Sequence, residues 1–126
     1  MQDEPKPEEL VRAVADFLRH ELAPVVSGHA AFRLRVSINA LDLVTRQLRL
    51  AAASDRAEAA RRSQLVGEEG SLGERNRRFA ERIASGAVDL STPGVAAHLW
   101  QTTLEKLAVD QPNYGSYKRE LKAKGG

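Results

Sequence analysis

Residues 29–50, HAAFRLRVSINALDLVTRQLRL, are the most informative stretch for the fold, because they carry apolar side chains around most of a helical circumference. The large apolar residues of this stretch are Phe32, Leu34, Val36, Ile38, Leu41, Leu43, Val44 and Leu48. The charged side chains gather on one narrow strip, made of Arg35, Asp42, Arg46 and Arg49. A helix that is apolar around most of its girth is typical of the centre of a bundle. We therefore predict that a long second helix, beginning after Gly28, is the central member of the fold.

The residues before this stretch predict a first helix that starts at Pro7 and ends at Pro24. Proline suits the first helical turn, and Glu8 and Glu9 lie at the positive end of the helix dipole. Leu10, Val11, Val14, Phe17, Leu18 and Leu22 recur at helical spacing and form its apolar face. Pro24 interrupts the backbone hydrogen bonding that a longer helix would need.

The residues after the central stretch predict two further helices. Ser54-Asp55 is typical of an N-cap, and the Ala- and Arg-rich segment that follows it ends near Gly67. Ser71-Leu72-Gly73-Glu74 has the pattern of a capping box, in which Glu74 accepts a hydrogen bond from the Ser71 amide. The helix that begins there is expected to run to Ser85 and to stop at a left-handed Gly86.

Two more helices complete the prediction. Thr92-Pro93 is typical of a helix start, and Asp110-Gln111-Pro112 is expected to end that helix. Its apolar face is predicted to contain Val95, Leu99, Trp100, Leu104 and Leu107. Residues 114–124 predict a short last helix, and no segment has the alternation of a strand. The expected fold is a single all-α domain over residues 1–126, a bundle of five to six helices with short connections between antiparallel neighbours.

Composition and charge exclude several classes of protein. The 126 residues contain no cysteine, so disulfide frameworks, thiolate nucleophiles and cysteine-based zinc sites are excluded. Nineteen Lys and Arg residues against 17 Asp and Glu residues give a net charge of +2, which is weaker than the basic stripe of a nucleic-acid-binding protein. No apolar run approaches the roughly 20 residues that span a bilayer, and the acidic start Met1–Glu4 is unlike a signal peptide. We expect a cytoplasmic protein that binds neither nucleic acid nor membrane.

Established catalytic and cofactor motifs are missing from the sequence. Gly67, Gly70 and Gly73 are three residues apart, which indicates a loop between helices and not a dinucleotide-binding fingerprint. The chain has no P-loop, nucleophile elbow, zinc-protease helix, calcium-binding loop or di-iron Glu-x-x-His motif. We expect no cofactor, no metal site and no catalytic residue, although an enzyme remains an alternative.

Polar residues on or beside apolar helix faces are the candidates for binding a ligand or a partner. Glu21, Arg33 and Asp110 fall within such faces, and Asn39 lies at the edge of the charged strip. Because a buried charge must be paired, Arg33 is expected to be partly buried against Glu21 or, second, Asp110. This set predicts either a structural ion pair or a polar pocket for an anion or acyl group. Tyr114 and Tyr117, beside Gly115-Ser116, are expected to seal one end of the fold or to line a contact surface.

The remaining aromatic and imidazole side chains are predicted to be structural. Trp100 is expected to lie in the core, and His20 and His98 at the surface or its boundary. His29, near a helix start, has no carboxylate at a spacing that would orient it for acid–base catalysis.

Three segments of the sequence together resemble an uncharacterised bacterial family, a domain of unknown function. They are Ala13-Val14-Ala15-Asp16-Phe17-Leu18-Arg19 with Glu21 and Pro24, then Phe32-Arg33 to Val36 with Asn39-Ala40-Leu41 and Arg46, then Lys106-Leu107-Ala108-Val109-Asp110-Gln111-Pro112 with Tyr114 and Tyr117. Genes of this family tend to lie beside acyl-CoA dehydrogenases and aminoglycoside-phosphotransferase-like kinases. The resemblance implies a role near acyl-CoA metabolism, as an accessory to one of these enzymes, and assigns no activity or catalytic residue.

Three hypotheses for the function follow. The first is a non-enzymatic accessory or binding protein for an acyl-CoA dehydrogenase or a phosphotransferase-like kinase. The second is a small enzyme or ligand-binding helical bundle with a polar pocket made by Glu21, Arg33 and Asp110. The third and weakest is a DNA-binding regulator, since no helix pair has the pattern of a recognition motif.

Overall fold

The computed structural model describes residues 4–67 and 69–125, and within these ranges the chain is helical without any strand. Its α-helices are α1 (Pro7–Phe17), α2 (Gly28–Val66), α3 (Leu72–Ala84), α4 (Val95–Asp110) and α5 (Gly115–Gly125). The all-α class, the number of helices and the long second helix are confirmed. No helix of the described ranges is both long enough and apolar enough to cross a membrane. Most of the acidic start, Met1–Asp3, lies outside the described residues.

The chain forms two compact units, Met1–Ala52 and Ala53–Gly126, and α2 contributes to both. The single domain expected over residues 1–126 therefore stays a prediction. The boundary falls in the alanine-rich middle of α2, at residues 51–53.

The first unit contains α1, a π-helical turn (Leu18–Leu22), a short 3₁₀ turn (Ala23–Val25) and the first part of α2. Pro7 occupies the first turn of α1 as predicted, and the Lys6 amide donates to Glu9 Oε2 at 2.8 Å. Ala15 of α1 and Ile38 of α2 are buried. Arg19 donates to both carboxylate oxygens of Asp42, at 2.8 Å each, and ties the segment after α1 to α2.

The second unit contains the rest of α2 together with α3, α4 and α5. Its core consists of Phe79, Val88 and Val95, with Leu65 packed against them. The predicted capping box at the start of α3 is confirmed, since the Ser71 amide donates to Glu74 Oε2 at 2.7 Å. Gly86, with φ of 76°, follows the end of α3 as predicted.

Two predicted helix starts are wrong. Ser54-Asp55 does not cap a separate helix, because both residues lie inside α2. The preceding alanines are the strongest helix formers, and no proline or glycine occurs before Gly67 to stop the helix. Thr92-Pro93 does not start α4 either. Its N-cap is Gly94, whose φ of 85° only glycine adopts readily.

The prediction that neighbouring helices bury most of the circumference of α2 is also wrong for the part of α2 in the first unit. Phe32, Val36, Leu43, Val44 and Leu48 are exposed. Helical periodicity identifies apolar positions, but it does not show how many of them neighbouring helices cover.

Candidate functional site

The inward face of α4 presents polar side chains to the interior of the second unit. Val95, His98, Thr102, Glu105 and Val109 follow one another at steps of three or four residues, which places them on one side of the helix. His98 lies in the middle of this face and is only 2% exposed. The prediction that His98 lies at the surface is therefore wrong.

Two arginines of α2 meet this face. Arg62 is 4% exposed and forms an ion pair with Glu58, one helical turn earlier. Arg61 donates to Glu105 Oε2 at 2.7 Å, so it links α2 to α4. Charges that are this poorly hydrated must be paired, and each arginine has its own carboxylate. The two ion pairs leave no net charge in the cluster.

The contact between Arg62 and His98 favours one tautomer of the imidazole. Arg62 Nη2 lies 3.4 Å from His98 Nε2, and a guanidinium only donates hydrogen bonds. His98 Nε2 is therefore the acceptor, which assigns the proton of the neutral ring to Nδ1. That nitrogen is buried and has no hydrogen-bond partner among the described residues. A buried N–H group without an acceptor is uncommon in folded proteins.

The surroundings of His98 favour its neutral form. Burial lowers the pKa of His98 below 6.5, and the positive charges of Arg62 and Arg61 lower it further. Glu58 and Glu105 act in the opposite direction with a smaller effect. The ring also makes an edge-to-face contact with Phe79, with 5.3 Å between the ring centroids. His98 is thus uncharged at neutral pH.

A cleft of about 440 Å³ lies beside this cluster, within the second unit. Its wall contains His98 and Arg61, and it also contains Gln64, Leu65, Pro93, Gly94 and Ala97. The start of α4 therefore forms part of the wall. The backbone N–H groups of Ala96 and Ala97 have no acceptor among the described residues, as is usual in the first turn of a helix.

The wall of the cleft combines polar and apolar side chains. The polar side chains of its wall are Arg61, Gln64 and His98. Arg61 Nε and His98 Nδ1 are shielded from solvent and have no hydrogen-bond partner among the described residues. In the described part of the chain, no three His, Asp or Glu side chains lie close enough together to hold a metal ion.

The candidate residues from the sequence belong to both units: Glu21, Arg33 and Asn39 to the first, and Asp110, Tyr114 and Tyr117 to the second. Five of them are exposed: Glu21, Arg33, Asn39, Asp110 and Tyr114. Only Tyr117 is buried, in α5, where it lines a small groove of about 190 Å³ with Leu104 and Leu121. Their roles in binding stay predictions.

The expected burial and pairing of Arg33 is wrong. Arg33 is exposed and forms no ion pair with Glu21 or any other acid of the first unit within the described residues. The buried face of α2 in this unit is centred on Ile38, and Arg33 points away from it, so the guanidinium stays hydrated. Asp110 belongs to the second unit, at the end of α4.

The sequence of α4 contains a signal for the cluster, but the apolar residues of the same helix obscure it. Leu99 and Trp100 made one side of α4 look like the core, but Trp100 is 52% exposed and donates its indole N–H to Glu120 at 3.1 Å. The placement of Trp100 in the core is therefore wrong. The spacing of His98, Thr102 and Glu105 marks the side that faces inward instead.

Comparisons with known proteins identify the family and no individual relative. No curated protein and no solved structure matches the chain. A family profile matches residues 24–114, which is more than half of the chain and includes the whole His98 cluster and its cleft. The resemblance to a domain of unknown function is thereby confirmed, whereas the bacterial origin and the neighbouring genes stay predictions. The chain belongs to the family described as Domain of unknown function (DUF6285).

Proposed function

We propose that this protein is a non-enzymatic accessory protein that binds a partner protein through an apolar surface of its first unit. The observation that carries the proposal is a stripe of exposed apolar side chains on α2. Phe32, Val36 and Leu43 are all exposed, Phe32 to 59%, and they recur on one side of the helix. Asn39 falls between them on the same stripe.

A second stripe on α1 has the same character. Leu10, Val14 and Phe17 are four and three residues apart, and Phe17 is 58% exposed. Each apolar side chain of this size loses about 1.5–3 kcal/mol of potential stabilisation when it stays in water. Contiguous apolar surface of this kind is typical of protein–protein interaction sites. Helical stripes of this spacing are also the form in which amphipathic helices bind a groove on another protein.

The family resemblance suggests the class of partner. It points to an acyl-CoA dehydrogenase or an aminoglycoside-phosphotransferase-like kinase in the bacterial cytoplasm. An accessory role also agrees with the absence of a recognisable catalytic motif from the sequence, and it requires no cofactor. The exposed positions of Asn39 and Tyr114 leave both available to a partner.

Co-purification from the native host tests the proposal. Tagged protein should recover the dehydrogenase or the kinase, identified by mass spectrometry, and the purified pair should form a complex again on a sizing column. Val36→Lys places a charge in the α2 stripe and should weaken that complex at least tenfold. The matched control, Ala80→Lys, adds the same charge at an exposed position of α3 and should bind normally.

Three results would contradict the proposal. Failure to recover either enzyme in repeated experiments removes the partner class. A complex that tolerates Val36→Lys as well as Ala80→Lys removes the surface. Self-association of the purified protein through the same stripe, abolished by Val36→Lys, would replace the accessory role with homo-oligomer formation.

A further inference from the structure

We infer that the apolar stripe on α2 binds an amphipathic helix of the partner protein, and that Asp and Glu residues flank the apolar side of that helix. This inference rests on the accessory function proposed above and adds the chemistry of the partner's binding segment. It concerns the first unit alone.

The exposed stripe on α2 has the spacing of a coiled-coil seam. Its members are separated by four, three and four residues, and all are exposed: Phe32, Val36, Asn39 and Leu43. At about 100° per residue, they lie within an arc of about 60° on the helix. Alternating steps of three and four residues allow a second helix to pack along the first, with its side chains inserted between those of the stripe. The occupant that fits this surface is therefore a helix.

The residues beside the α2 stripe carry positive charge. Arg33 lies on one side and Arg35 on the other, each about 70–90° from the centre of the stripe. Both are exposed, and neither forms an ion pair within the described residues. Arg49 is exposed further along the Arg35 side. Asp42 is the only acidic residue of α2 in the first unit, and Arg19 already binds both of its carboxylate oxygens, at 2.8 Å each.

This charge pattern distinguishes the occupants that the stripe could take. Charged residues beside a coiled-coil seam pair across the interface and select the partner. A second copy of this chain would bring arginines against arginines, which opposes association. A nucleic-acid backbone offers no apolar side to cover Phe32 and Val36. A helix with Glu or Asp at the flanking positions covers the stripe and also pairs with Arg33 and Arg35, in the geometry that a guanidinium favours.

Asn39 adds a requirement for the register of the partner helix. A single asparagine at a seam position lowers the stability of a coiled coil but fixes its register and its partner. The side-chain amide both donates and accepts hydrogen bonds. The partner helix is therefore expected to place a polar side chain opposite Asn39.

Two synthetic helical peptides test the charge of the occupant with the full-length protein. Each has about three heptads with leucine at the seam positions, and the flanking positions are Glu in one peptide and Lys in the other. The peptides carry a fluorescent label, and anisotropy during titration with the protein gives the dissociation constant. The Glu peptide should bind at least about tenfold more tightly at neutral pH, and added salt should reduce the difference. Equal binding of the two peptides, or tighter binding of the Lys peptide, overturns the proposal.

A charge reversal on α2 separates pairing with the arginines from attraction by net charge. Arg33→Glu/Arg35→Glu should weaken binding of the Glu peptide by about tenfold or more and strengthen binding of the Lys peptide. The matched control, Lys118→Glu/Lys122→Glu, changes the net charge equally at exposed positions of α5 and should keep the preference for the Glu peptide. Loss of the preference in both variants overturns the proposal. If the reversal variant fails to fold, the comparison of the two peptides on the unmodified protein still decides.

Two other occupants would be recognised in the same experiments. A labelled single-stranded oligonucleotide that binds more tightly than the Glu peptide would identify a nucleic-acid surface. A dimer on a sizing column that the Glu peptide does not dissociate would identify a second copy of the chain. Either result overturns the acidic helix as the occupant.

Failure of this inference can be distinguished from failure of the accessory function. If neither enzyme is recovered from the native host, the accessory function is removed, and the peptide preference is still measured on the purified protein. If an enzyme is recovered and its complex tolerates Arg33→Glu/Arg35→Glu, the accessory function stands and the acidic helix is overturned.

Discussion

The ion pair between Arg62 and Glu58 should be critical to the stability of the second unit. Arg62 is almost completely buried, and Glu58 is nearly as well shielded from water. Removal of the guanidinium leaves a carboxylate with little hydration and no counter-charge. We therefore expect the clearest result from replacing Arg62, alone and together with Glu58.

The expected magnitudes follow from the burial of the pair. Breaking a buried ion pair costs about 3–5 kcal/mol. Arg62→Met keeps much of the packing of the alkyl chain and should lie near 3 kcal/mol, whereas Arg62→Ala adds a cavity and should reach about 5 kcal/mol. The double variant Glu58→Leu/Arg62→Met leaves no orphaned charge and should be within about 1 kcal/mol of the original protein. Arg62 Nε and Nη1 are buried and have no hydrogen-bond partner among the described residues, so removing them eliminates an existing cost.

Urea denaturation followed by tryptophan fluorescence measures these differences. Trp100 is the only tryptophan of the chain and lies on α4, so its emission reports on the second unit. Arg77→Ala is the matched control, because Arg77 and Glu81 have the same spacing of four residues but are exposed, Arg77 to 73%. An exposed pair with 3.9 Å between its charged atoms should contribute less than about 0.5 kcal/mol.

Two results would refute this reasoning. The first is a cost for Arg62→Ala as small as that for Arg77→Ala. The second is a double variant that remains as unstable as Arg62→Met, which would show that the stability comes from contacts of the arginine other than its pairing with Glu58.

Three further predictions concern the same unit and use the same fluorescence assay. The pKa of His98 is lowered in the folded protein, so the unfolded protein takes up a proton at His98 first as the pH falls. The free energy of unfolding should therefore decrease below about pH 6.5 by up to about 1.4 kcal/mol per pH unit. An unchanged dependence of that free energy on pH in His98→Phe would contradict this. Gly94→Ala should destabilise the protein by about 1–2 kcal/mol because φ of Gly94 is 85°. Gly73→Ala should stabilise it by about 0.5–1 kcal/mol because Gly73 lies inside α3 with ordinary helical geometry. Changes of the same sign in both variants would disprove the backbone argument. Val95→Ala should cost about 2 kcal/mol because Val95 is fully buried, and the exposed Leu90→Ala should cost much less.

The helix ends that could be predicted are those fixed by neighbouring residues. Ser71 and Glu74 cap α3 by mutual hydrogen bonds, and Gly86 adopts the left-handed conformation after it. These interactions involve only a few consecutive residues, so their pattern is readable without the fold. Ser54-Asp55 has an equally valid cap pattern but lies within α2, since a cap forms only where the helix would otherwise end.

The candidate site could not be predicted, because its members come together from separate helices. Arg62 and His98 are 36 residues apart, and neither has a sequence context that marks it as buried. Arg33 looked like a buried cation on an apolar helix and is exposed, whereas Arg62, in a segment rich in alanine and arginine, is buried. Burial depends on which neighbours cover a helix face, and that is a property of the packed unit.

Local sequence patterns are sufficient to predict an all-helical chain with a long second helix, and they locate most of the helix starts. Helical periodicity and capping act over one or two turns, so they are written in the local sequence. Which side of α4 faces inward depends on the packing of the second unit, because both sides of the helix carry apolar residues. That packing places His98 in the interior and Trp100 at the surface. The face of α4 that carries Glu105 and His98 turns inward because Glu105 pairs with Arg61 of α2 and His98 contacts Arg62.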